Sequence, residues 1–216
     1  MNLPLLNAGL AGTMLLTSML AVASFRFRTL VRYFAISSLF LAALIAGIGY
    51  VHENEHLYPI ALANVCFKVI LIPMLILRAA RASGASERLR SYLRPASTYF
   101  VLLGILAFVF VAVRRSPFFG HVDPGYLLSL AVALVLMGLF MMIARRDVLS
   151  QMLGFLIMEN GIAMFSYATV SSLPILIELG IFVTVTVGAL LMSFLSKHVR
   201  QLYGTEDTDM LRELTD

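Results

Sequence analysis

Apolar residues occur in long runs separated by short polar breaks. Seven runs stand out, at roughly 3–25, 33–51, 57–77, 96–113, 126–144, 148–170 and 174–196. A helix needs about 20 mostly apolar residues to cross a bilayer. Transmembrane barrel strands are about half that length and alternate apolar with polar positions, a pattern missing here. The runs therefore predict an all-α polytopic membrane protein with seven transmembrane helices.

The order of the runs suggests a duplication. Segments 1–3 and 5–7 share one plan: a span, a short basic turn, a span, a short opposite loop, and a span entered through proline. Arg26 and Arg28 match Arg145 and Arg146, and Tyr58-Pro59-Ile60 matches Leu173-Pro174-Ile175. Each three-helix unit starts on one side and ends on the other, so segment 4 supplies the extra crossing that lets the plan restart. The predicted organisation is a first three-helix unit with a basic loop (1–95), a linking helix and outer loop (96–125), a second unit (126–197) and an acidic tail (198–216).

Composition supports this reading. Hydrophobic residues make up 60% of the chain and charged residues 13%, with a mean hydropathy of +0.92; soluble domains are nearer half apolar and a quarter charged. The net charge of +4 does not indicate nucleic-acid binding, because the basic residues gather in the breaks between runs. Arg26, Arg28, Arg32, Arg78, Arg81, Arg88, Arg90, Arg94, Arg145, Arg146, Lys197, Arg200 and Arg212 fall after odd-numbered segments, whereas the opposite connections carry Arg114 and Arg115. The positive-inside rule then predicts an N-terminus outside and a C-terminus in the cytoplasm. The N-terminus has no positive region before its apolar run, so an uncleaved first helix is expected. The basic 78–95 loop is a topogenic loop or a surface for anionic lipid or a partner, and the acidic tail is a polar end or a docking strip. Cys66 is the single cysteine. It is expected to pack as a small apolar residue, and no cofactor is expected on this chain.

Two ionisable groups lie where hydrocarbon should exclude them. An ionisable side chain at mid-bilayer costs roughly 2.5–3.5 kcal/mol on insertion scales, and such residues usually face the protein interior. Glu159 is at the middle of segment 6, in G-F-L-I-M-E-N-G at 154–161. Hydrocarbon surroundings make the neutral acid accessible, and a group that can exist in either state can relay a proton. Helical spacing puts Met152, Phe155 and Ser166 on the face of Glu159, with Ser166 as a continuation of a polar track. Asn160 points about 100° away, toward a different neighbour, as an interhelix hydrogen-bonder. Gly154 and Gly161 allow close helix approach. Lys68 is at the middle of segment 3, too far from either end to snorkel easily. Asn64 lies one turn before it. Pro73 follows one turn later and cannot donate to the carbonyl of Val69. Glu178, near the outer end of segment 7, is a third relay candidate, with Thr184 as a supporting polar residue.

Residues 52–56 read H-E-N-E-H. On a helix that spacing places two histidines one turn apart on zinc, with the glutamate as base. Here the stretch falls in a short loop ahead of Pro59. Intramembrane zinc proteases add a buried aspartate, and none of the seven segments contains one. No metal site is predicted; the stretch reads as a polar turn or a proton-exchange mouth.

R-R-D-V-L-S-Q-M-L-G-F-L-I-M-E-N-G, residues 145–161, resembles the K subunit of bacterial complex I and the C subunit of Mrp antiporters, a likeness extending over about 126–200. In the K subunit the helix acid falls at the position of Leu156, one turn before Glu159, and a second acid aligns near Thr184. K-V-I-L-I-P at 68–73, M-E-N-G at 158–161, I-E-L-G-I at 177–181 and the overall length resemble hydrogenase-4 component E. That resemblance implies a membrane-arm subunit of a complex I-like hydrogenase or formate hydrogenlyase assembly in a bacterial or archaeal inner membrane. It implies proton (or sodium) movement through Glu159, Lys68 and Glu178, and metal chemistry on other chains. Expected partners are antiporter-like and quinone- or hydrogenase-proximal membrane subunits. The alternative is a stand-alone secondary transporter or an Mrp-type antiporter subunit.

Overall fold

The computed structural model describes residues 3–51, 53–83, 89, 91–115 and 125–169. Segment 7, with Glu178 and Thr184, and the acidic tail lie outside the described residues. Among the described residues the protein is helical, and six helices are long and apolar enough to cross a membrane. Helices suit this setting because every internal N–H and C=O is paired within the segment, leaving few for a solvent that cannot bond them. It is a multi-pass membrane protein.

Helix α1 spans Leu3–Ala23, α2 Phe27–Val51, α4 Pro95–Arg115, α5 Gly125–Ala144 and α6 Val148–Thr169. Helix α3 is continuous but composite: α-helical over Leu57–Asn64, π-helical over Val65–Leu71 and α-helical again over Ile72–Ser83. Two boundaries correct the apolar-run reading. Helix α2 starts at Phe27 rather than 33, and α3 runs on to Ser83 rather than 77. Apolar runs mark the part of a helix inside lipid. Arginine is a good helix former, so Arg28, Arg32, Arg78 and Arg81 extend the helices into the interface.

Helices α1 and α2 pack together, as do α5 and α6. Contacts of α1 with α5, and of α2 with α6, join the two pairs into a four-helix centre. Helix α3 lies against α2, and α4 lies against α5 and α1. Among the described helices α4 is the most exposed, with Phe100 76% and Phe108 67% accessible. In a bilayer such a face suits lipid tails. Cys66 is exposed as well, on the outer side of α3, so it is not the packing residue expected from sequence.

Glycines set the α5–α6 spacing. A Cβ on Gly138 would lie 2.5 Å from the Met158 nitrogen and 2.7 Å from the Gly154 oxygen. One on Gly161 would lie 2.7 Å from the Val135 nitrogen. Backbone therefore meets backbone, as small residues permit in membrane helices. This contact fixes the depth and rotation of α6.

The arginine-rich ends are tied by Arg145. Its guanidinium is 2% exposed and donates through Nη2 to the Val22 oxygen at 2.7 Å and to the Ser24 oxygen. Its carbon lies 4.9 Å from the Phe25 ring centroid. The last carbonyls of a helix have no intrahelical donor, so the α5–α6 turn caps α1. Asp147 caps α6 by accepting from the Ser150 N–H at 2.8 Å. Burial lowers the Arg145 pKa from its usual value, opposed by Asp147. Burial raises that of Asp147, opposed by the bonds from Ser150 and by Arg145.

Part of the basic 78–95 loop joins this structure. Leu89 N–H donates to the Phe25 oxygen at 2.9 Å, and Tyr92 N–H and the Ser91 hydroxyl donate to the Ala144 oxygen at 3.1 and 3.0 Å. The Arg146 guanidinium stacks 4.2 Å from the Tyr92 ring centroid.

Two substitutions test the packing. Gly138→Ala is expected to lower the unfolding midpoint in detergent, by at least the roughly 1–3 kcal/mol typical of overpacking. Gly104→Ala, whose Cβ would meet nothing within 4 Å, serves as the control and is expected to hold or slightly raise the midpoint, alanine being the better helix former. Arg145→Ala is expected to cost about 1.5–3 kcal/mol for each lost bond from a charged donor, with the exposed Arg26→Ala near neutral by the same measurement.

Candidate functional site

Four buried polar residues from α2, α3 and α6 meet around Lys68. Ser38 lies about three turns into α2 and Glu159 about three turns into α6, both counted from the arginine-rich end. Lys68 lies about three turns into α3 from the opposite end. All three therefore fall near the bilayer midplane. Lys68 is 1% exposed, Glu159 6%, and Asn64, Asn160 and Ser38 0%.

Lys68 Nζ donates to Glu159 Oε2 in a buried ion pair and to Asn160 Oδ1 at 2.9 Å. Asn160 Nδ2 donates to Ser38 Oγ at 3.0 Å, and Asn64 Nδ2 donates to the Ser38 backbone oxygen at 3.0 Å. The donor inventory fixes the Asn160 amide. An ammonium only donates, so the amide oxygen must face Lys68 and its NH₂ must face the serine. The long lysine stem explains why Glu159 and Asn160, 100° apart on their helix, both reach it. Asn160 thus serves the same neighbour as Glu159, contrary to the sequence expectation.

The π-segment supports this arrangement. Within it, Ile72 N–H donates to the Phe67 oxygen, five residues back. Pro73 has no N–H and sits where the next such donor would be. The backbone disturbance expected from Pro73 is thus a widened turn running through Lys68, rather than one lost bond in an α-ladder. Single-turn π-bulges in α-helices occur often at functional sites.

Ser166 donates to the Ile162 oxygen at 3.1 Å, one turn back on its own helix. Thr13 and Thr17 likewise bond back to Gly9 and Thr13 carbonyls at 3.0 and 2.9 Å. Ser18 differs: its hydroxyl pairs with that of Ser37 at 2.6 Å across α1 and α2, with both side chains buried. The serines of α2 were missed from sequence. Their only signal was the Ser37-Ser38 pair inside an apolar run, and most such hydroxyls satisfy themselves locally.

Residues 53–56 form a turn, with Asn54 Oδ1 accepting from the His56 N–H at 3.2 Å and Glu53 at φ 51°. The helix that H-E-x-x-H chemistry needs is not formed there. Among the described residues no three His, Cys, Asp or Glu side chains group to hold a metal.

The chain is 30% identical over 210 residues to the uncharacterized protein Rv0085 of Mycobacterium tuberculosis, covering 95% of this chain and 94% of that one. It is 28% identical over 207 residues to hydrogenase-4 component E of Escherichia coli strain K12, covering 95% of each. Hydrogenase-4 component E of Shigella flexneri matches equally. The chain is thus similar to hydrogenase-4 component E along nearly its whole length. These matches bear out the component E resemblance along nearly the whole chain. They do not show the likeness of residues 126–200 to a complex I K subunit. No family model and no solved structure matches. In this chain the buried pair draws one charge from each half of the sequence.

Energetics separate the pair from ordinary packing. Removing one partner of a buried ion pair costs about 3–5 kcal/mol, whereas replacing both by apolar groups is often neutral or better. Lys68→Met alone is therefore expected to lower folded yield in membranes, and Lys68→Met with Glu159→Leu to recover most of it. Purified yield and unfolding midpoint of the single and double variants check this. Additive losses would show that the two side chains are not coupled.

Proposed function

We propose that the chain is an inner-membrane subunit of a hydrogenase complex, in which the Lys68–Glu159 pair passes protons across the middle of the bilayer. The observation that carries this reading is the pair itself. It joins a titratable acid to a titratable base in a buried network with Asn160, Ser38 and Asn64. The component E relatives support the complex. In the proposed orientation the arginine-rich ends face the cytoplasm. Antiporter-like and quinone- or hydrogenase-proximal membrane subunits are the proposed neighbours, and Glu178 is a proposed further relay group.

Protons fit the pair better than sodium. An ammonium offers three donors and no acceptor, so Lys68 cannot ligate a metal cation and repels one from Glu159. A proton, by contrast, can be taken by the carboxylate or released by the ammonium, and either step changes the pair by one charge. Electron-transfer centres belong to other subunits in this reading.

Glu159→Gln keeps the shape of the protonated acid and removes its titration. The variant complex is expected to assemble, as read by native electrophoresis. It is expected to lose about a hundredfold or more of hydrogen-turnover-linked proton flux in inverted vesicles. Wild-type flux in an assembled Glu159→Gln complex would refute the relay.

A further inference from the structure

We propose that Asn64 is a second seat for the Lys68 ammonium, so that the lysine carries its proton one helical turn between two acceptor sets. The proposal deepens the relay reading and rests on it. Its observation is separate: Asn64 Oδ1 is buried and has no hydrogen-bond partner among the described residues. The Asn64 NH₂ is held by the Ser38 backbone oxygen, so the amide is already oriented. Asn64 precedes Lys68 by four residues, which places the two side chains on one helix face about one turn apart. An unmet buried acceptor is costly and rarely left so without reason.

The backbone between the seats is suited to the move. Asn64 ends the α-helical start of α3, and Lys68 sits in the π-segment Val65–Leu71 that follows. Taking out or shifting the extra residue of a π-turn rotates the residues beyond it about the helix axis. A change of register thus turns Lys68 relative to Asn64 while α2 and α6 stay in place. Helix α6 contributes Glu159 as the titratable group packed against Lys68 and Asn160 as a neutral one. Helix α2 contributes the neutral Ser38, and α3 itself contributes Asn64.

The proton account closes. A proton from the arginine-rich side converts the Glu159 carboxylate to the acid, ending its hold on the ammonium. The ammonium moves to Asn64 Oδ1, toward the opposite end, and from that seat gives one proton to water entering from that end. The neutral amine returns and takes the proton of the acid, restoring the ion pair. One proton has crossed and no other species is consumed.

Solid-state NMR of the full chain in lipid bilayers tests this. The measurement is the dipolar distance from Lys68 15Nζ to the side-chain carbonyl carbons of Asn64, Asn160 and residue 159. In wild type at neutral pH the short distances run to Glu159 and Asn160. In Glu159→Gln a distance of about 4 Å or less to the Asn64 carbon is expected, as a hydrogen bond requires. Acidifying the wild type should give the same shift and serves if the variant does not fold. An ammonium that stays on residues 159 and 160 in both experiments overturns the proposal. Asn64→Leu in the assembled complex should cut coupled proton flux about tenfold to a hundredfold, the effect of losing one bond to a charged donor. Full flux there also overturns it. Failure of the underlying relay would appear differently, as normal pumping by Glu159→Gln.

Discussion

A lysine ammonium in the middle of a lipid-spanning bundle must be met by opposite charge, and the rest of this structure is arranged around that need. In the ion pair Lys68 is 1% exposed and closed off from water. Its partner comes from a helix 91 residues further along the chain. For the two to meet, α6 must sit at one depth and one rotation, which the glycine contact with α5 fixes. Helix α3 must present the lysine inward, which the π-segment accommodates. Helix α2 lies between them and supplies Ser38, whose hydroxyl and backbone oxygen hold the two asparagine amides.

Much of this was legible in the sequence and some was not, for reasons that differ by residue. The spans were readable because bilayer thickness imposes a length on apolar runs. Their ends were less so, because arginines at 28, 32, 78 and 81 continue a helix while leaving the lipid. Lys68 and Glu159 were readable singly, as charges where charge is costly. Their pairing was not, since no local period records which helix will face which. The π-segment was hidden for a related reason: V-C-F-K-V-I-L satisfies an α-helix equally well. Arg145 was hidden among other arginines. Charge alone marks a topogenic residue, and nothing in R-R-D says that the first side chain turns inward to end another helix.

The pair also contrasts with the other polar contacts of the bundle. The Ser18–Ser37 bond and the asparagine amides are neutral, and their worth lies in holding helices together. The lysine and glutamate add little net stability over apolar replacements of similar volume. Adhesion alone is therefore a poor account of why two opposite charges occupy the centre.

The Arg145 cap has a consequence for biosynthesis. Its bond to the Val22 oxygen spans 123 residues. While the chain is being made, α1 enters the membrane long before the turn that completes its end exists. The first helices must wait at the insertion machinery or in the lipid with α1 unfinished. The capping arginine arrives only when α5 has crossed, so closure of the bundle is a late step of synthesis. A chain halted earlier carries an open helix end, with the Val22 carbonyl lacking its Arg145 donor.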